Sequence, residues 1–125
     1  MHKMIEDKKL ALTIFSEDVS DEVLIAAREA MVRHPQWKPG FNEIVDIRKA
    51  TSEHVTAKGL RHLMAIVRKH VKVNFKTAIV APDLLSYGMS RTYEAITAES
   101  FEEVAVFKTM EEACEWIGID KGCVE

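Results

Sequence analysis

Phe41-Asn42-Glu43-Ile44-Val45-Asp46-Ile47 and Phe75-Lys76-Thr77-Ala78-Ile79-Val80 are two largely apolar runs, and the passage between them decides the fold. Near-continuous apolar runs of this length read as strands covered on both faces. Ala81-Pro82 stops the second run, because proline cannot donate to a ladder. Between the runs, Leu60, Leu63, Met64, Val67 and Val71 recur at helical spacing, which predicts a helix from about Thr56 to about His70. Strand, helix and strand in that order predict a parallel pair joined by a right-handed crossover.

Working towards the N-terminus, Trp37-Lys38-Pro39-Gly40 reads as a turn, with glycine where φ is positive. Before it, Ser20 is placed to cap a helix whose first turn carries Asp21 and Glu22. Val23, Ala27, Ala30 and Met31 supply the stripe expected to face the core, and Pro35 prevents continuation beyond Arg33 and His34. Leu10, Leu12 and Ile14 alternate with Ala11, Thr13 and Phe15 as a strand does, and His2–Glu6 is its expected hairpin partner across Asp7-Lys8-Lys9.

Working towards the C-terminus, Asp83 caps a third helix reaching roughly Ala98, and Glu103 to Phe107 forms a short strand. Thr109 and Glu112 make a capping box for a last helix, buried through Met110, Ala113, Trp116 and Ile117 and ended by Gly118. The order β-β-α-β-α-β-α-β-α predicts an α/β fold. Its expected core is a mixed, mostly parallel sheet of four or five strands with an antiparallel N-terminal hairpin. No repeat or linker divides residues 1–125, so one domain is expected.

Composition narrows the function classes. With 47% hydrophobic and 30% charged residues, the chain is neither disordered nor membrane-like, and its net charge of −3 argues against a nucleic-acid binder. The charge is uneven. His54 to Pro82 contains no acid but holds Lys58, Arg61, Arg68, Lys69, Lys72 and Lys76, whereas Glu94 onwards sets nine acids against two lysines. The basic stretch reads either as the solvated face of one helix or as a surface for an anionic partner or head-to-tail self-association. It lacks the interleaved aromatics of a nucleic-acid groove. Cys114 and Cys123 form no metal or redox motif and are expected as reduced thiols. No apolar signal core or membrane-length run occurs, and a cytoplasmic location is expected.

Several segments together resemble the small bacterial SpoIIAA-like proteins, grouped with STAS and Sec14-type domains. They are Phe41 to Thr51, Lys76 to Pro82, Tyr87-Gly88-Met89-Ser90-Arg91-Thr92-Tyr93-Glu94, and Val104 to Lys108 followed by Glu112 to Ile117. The resemblance implies the SpoIIAA-like fold over about Ile5 to Ile117. It also implies a regulatory, protein-binding role, although most members of this branch have no assigned function. In the anti-sigma-factor antagonists of the group, a phosphoacceptor follows an aspartate in an Asp-Ser-(Ser/Thr)-Gly turn. Here the matching loop, Asp46-Ile47-Arg48-Lys49-Ala50-Thr51-Ser52-Glu53-His54-Val55-Thr56, has neither the dipeptide nor the glycine, so no acceptor is carried over.

No phosphate-binding loop, nucleophile elbow or metal-ligand spacing is present, and no cofactor or catalytic residue is assigned. The ends of parallel strands are where open α/β sheets bind ligands. The candidate ligand or partner face is therefore Asp46, Arg48, Thr51, Ser52, Asp83, Ser86, Tyr87 and Arg91. Asp46 and Arg48 read equally as a strand-end ion pair. Gly88, inside a helix, implies either close packing or close approach of a ligand or partner, with Tyr87 and Arg91 as anchors. The function expected is a non-enzymatic protein-binding module acting on another protein or on a second copy in a homodimer. The alternative is a domain binding a lipid or an anionic metabolite.

Overall fold

The computed structural model describes Met1–Glu125. Five strands form the main sheet in the order β1 (His2–Ile5), β2 (Leu10–Ile14), β4 (Asn42–Asp46), β6 (Phe75–Val80), β7 (Glu102–Phe107). β1 is antiparallel to β2, and every other pairing is parallel. The hairpin between β1 and β2 turns on Lys9, in the left-handed region at φ 51°. Gly40, at φ 98°, makes the turn into β4. The expected mixed, mostly parallel sheet with its N-terminal hairpin is the sheet observed.

Four helices cover it: α1 (Asp21–Arg33), α2 (Ala57–His70), α3 (Leu84–Ile96) and α4 (Met110–Ile117). Each starts on a side-chain cap. Ser20, Thr56, Asp83 and Thr109 accept from the backbone N–H of Val23, Gly59, Ser86 and Glu112 respectively. The first three helices cross between neighbouring parallel strands. They share one face of the sheet, over a core that includes Val19, Ile47, Leu60, Leu63, Ile79 and Tyr93. α4 covers the other face, over Leu10, Leu12, Ile44, Ala78 and Val80. No helix is long and apolar enough to cross a membrane.

Two expectations are corrected. A second, two-stranded parallel sheet pairs β3 (Asp18–Ser20) with β5 (Thr51–His54), where only loops were expected. These strands are short and polar, and Asp18 ties them by accepting from Thr51 Oγ1 at 3.1 Å and pairing with His54 Nδ1 at 2.9 Å. The inward stripe of α1 is also rotated: Val23 and Ala30 face solvent, while Leu24, Ala27, Arg28 and Met31 face in. The expected stripe left Arg28 out; its pairing with buried carboxylates holds it inside.

Candidate functional site

Strand alternation sends Ala11, Thr13, Glu43, Val45, Thr77 and Ile79 to the face under α1, α2 and α3. His2 lies opposite Thr13 in the hairpin register and shares that face. One polar row therefore crosses all five strands: His2, Thr13, Glu43, Thr77 and Glu102. Arg28 from α1 and Tyr93 from α3 close over it. Glu43 is 4% exposed, Glu102 1% and Arg28 7%.

The row is continuously bonded. Arg28 Nη2 donates to Glu43 Oε1 at 3.2 Å and to Glu102 Oε2 at 3.3 Å, while Nη1 reaches Glu102 Oε1 and the Tyr93 hydroxyl, each at 3.4 Å. Tyr93 donates to Glu102 Oε1 at 2.5 Å and Thr77 Oγ1 to Glu102 Oε2 at 2.6 Å. Thr13 Oγ1 lies 2.7 Å from Glu43 Oε2 and 2.8 Å from His2 Nδ1, and His2 Nε2 lies 2.7 Å from the Ala27 carbonyl. No buried side-chain polar atom lacks a partner. Burial favours loss of the Arg28 proton, but Glu102, Tyr93 and Glu43 outweigh it and hold the guanidinium well above its ordinary value. Burial, with Glu102 beside it, pushes the Tyr93 phenol well up.

Above this row the three helices leave a cavity of about 80 Å³, with thirteen hydrophobic residues among its twenty-one lining residues. Phe15, Val45, Ile79, Leu63 and Met89 form its walls; Ser52, Ser86 and Ser90 line its strand-end portion.

The eight residues expected as one face divide among different places. Ser52 and Ser86 meet, Oγ to Oγ at 2.9 Å, and both line the cavity. Asp46 and Arg48 pair at 2.9 Å, and Arg48 Nη2 also donates to Glu125 Oε1 at 2.9 Å. Asp46 shares the face of Ile44, so this cluster lies on the α4 side of the sheet. Burial opposes ionisation of Asp46, but the bonds from Arg48 hold its carboxyl below the ordinary value, and the bond to Asp46 raises Arg48 in turn. Thr51 bonds Asp18, and Asp83 is spent on the α3 cap. Tyr87 lies under Lys108 Nζ, 5.6 Å from its ring centroid, while Arg91 pairs with Glu94.

Gly88 is not tightly packed: a Cβ there meets nothing within 4 Å. Gly59 is the glycine that close approach requires, since a Cβ there would collide with the Asp21 carboxylate. Sequence reasoning missed the polar row. Its signal was Glu43, two residues before Val45 on the face of β4 that lies under the helices, where a buried carboxylate requires a paired cation. No three or more His, Cys, Asp or Glu side chains converge as a metal site needs.

Comparison with known proteins finds no family model, curated protein or solved structure that matches this chain.

Proposed function

We propose that the chain is a non-enzymatic binding domain of the SpoIIAA-like type that holds a small, neutral, mostly apolar molecule between its sheet and α1–α3. The observation that carries this reading is the cavity, whose walls are apolar and whose strand-end portion presents three serine hydroxyls. A volume of about 80 Å³ is that of roughly three waters, so the occupant is small or enters as part of a longer chain. Every charge at the floor is already paired, so an anion entering there would find no free cation. Of the lipid and anionic-metabolite alternatives, the apolar one fits. The hydroxyls of Ser52 and Ser86 are suited to a single hydroxyl or carbonyl group.

The non-enzymatic part rests on the hydrogen bonding. Thr13, the hydroxyl in contact with an imidazole, is buried and engaged on both sides, so it has no free proton path to a substrate.

The test is a methyl NMR titration with 1-butanol and with butyrate. Saturable shifts of the Val55 and Ile79 methyls with the alcohol alone are expected. Ala50→Leu, which places an isobutyl group in the cavity, should abolish them while raising stability. A wild-type protein that responds to neither compound overturns the reading.

A second reading keeps the protein-binding role. Leu84 is 89% exposed and Leu85 51% exposed at the start of α3, an apolar pair beside Tyr87. Used for self-association, this pair gives a concentration-dependent dimer in sedimentation that Leu84→Ser with Leu85→Ser removes. A monomer at all concentrations rejects the homodimer.

A further inference from the structure

The directions of the bonds at the cavity floor contain a proton count. The Thr13 hydroxyl has one proton and two neighbours, His2 Nδ1 at 2.8 Å and Glu43 Oε2 at 2.7 Å. On its other side, His2 Nε2 faces the Ala27 carbonyl at 2.7 Å, and a carbonyl can only accept. Nε2 therefore carries a proton in every consistent arrangement.

Two arrangements remain. When Thr13 donates to Glu43, Nδ1 must itself donate to Thr13 Oγ1, and the ring is an imidazolium beside a carboxylate. When Thr13 donates to Nδ1, Glu43 must be the carboxylic acid that donates to Thr13. Either way His2 and Glu43 together hold one proton more than a neutral imidazole and a free carboxylate do. Without it, one of two contacts shorter than 3 Å would set lone pair against lone pair.

Charge balance gives the same count independently. Arg28 from α1 and Glu102 from β7 cancel. Tyr93 from α3 stays neutral, its phenol pushed up by burial. The charged side chains of α2 (Lys58, Arg61, Arg68, Lys69) are exposed, and the Met1 amino group donates outside the row, to the Ile14 carbonyl at 3.0 Å. An ionised Glu43 beside a neutral His2 would leave one uncompensated negative charge in a buried site, which is strongly unfavourable. We propose that the chain Glu43–Thr13–His2 is a one-proton binding site, occupied in the folded protein at neutral pH.

Where the unfolded chain is deprotonated, the proton is taken from water on folding and returned on unfolding. The unfolded chain loses it near the ordinary histidine value of about 6.5, so the folded site retains a proton that the unfolded chain has released. Where only the folded site holds the proton, stability from this site falls as pH rises. A deprotonated floor would carry a negative charge against the apolar cavity and draw water into it.

Glu43→Gln separates this site from other titrations. Its amide can accept from Arg28 and donate to Thr13, reproducing the protonated arrangement without a titratable group. Urea unfolding of both proteins at pH 7 and pH 8 is the measurement. The wild-type folding constant should drop about tenfold across that unit relative to Glu43→Gln. Equal pH dependence in the two proteins overturns the proposal. If Glu43→Gln does not fold, nitrogen and carboxyl-carbon NMR of the wild type at pH 7.5 decides instead. Either an imidazolium at His2 or a protonated carboxyl at Glu43 supports the site; a neutral ring beside an ionised Glu43 rejects it.

Discussion

Removing the Arg28 guanidinium leaves Glu102 buried without its cation and Glu43 Oε1 without its donor. Arg28→Met should therefore cost about 3–5 kcal/mol, the range for a buried ion pair broken from one side, measured by urea denaturation. Arg28→Lys should recover only part of this, because one ammonium cannot span both carboxylates and the Tyr93 hydroxyl as the planar fork does. On the opposite face, Arg48 holds Asp46 below its ordinary value. A depressed carboxylate stabilises the fold above its unfolded value and loses that contribution as pH falls through the folded one. Arg48→Met should accordingly flatten the decline of stability below about pH 4, read from unfolding between pH 5 and pH 2. Arg28 was hidden from the sequence because hydrophobic periodicity counts any arginine as solvent-facing. The alternative phase, through Leu24, Ala27 and Met31, is equally regular and puts Arg28 inside. The Asp46–Arg48 pair was legible, since two residues at a strand end can reach each other without help from the rest of the fold.

Among elements, helix starts were the most legible features, because each cap is written in a few neighbouring residues. Ser20, Asp83 and Thr109 cap as expected, and Thr56, expected only as the approximate start of its helix, caps α2. β3 and β5 were not legible: neither has an apolar alternation, and each exists only because the other lies beside it. The two helical glycines make a contrast of the same kind. Asp21, in the first turn of α1, accepts from both the backbone and the hydroxyl of Thr56, so α1 reaches across to fix the start of α2. Gly59 leaves the room for that carboxylate. Gly59→Ala should disturb this junction and lower the melting temperature. Gly88→Ala, with open space around it, should raise stability by about 0.5–1 kcal/mol, the ordinary helix gain over glycine. A destabilised Gly88→Ala would show that the α3 backbone is constrained by something beyond its own helix.

At the scale of the whole molecule, the parallel sheet with its antiparallel hairpin was legible because strands and helices alternate in strict order. The way its faces are used was not. Three helices share one face and α4 has the other, which separates Ser52 and Ser86 from Asp46 and Arg48 although all lie near strand ends. The same arrangement leaves space beneath the three-helix side that a single sequence does not announce, since a void is a property of many side chains failing to meet. That space has a mechanical consequence. Unfolding abolishes a cavity of about 80 Å³ per molecule, and the volume decrease that lets hydrostatic compression unfold proteins scales with such internal space. High-pressure fluorescence of Trp37 and Trp116 should therefore record unfolding at a lower pressure in the wild type than in Ala50→Leu, and a neutral guest in the cavity should move the wild type towards the variant.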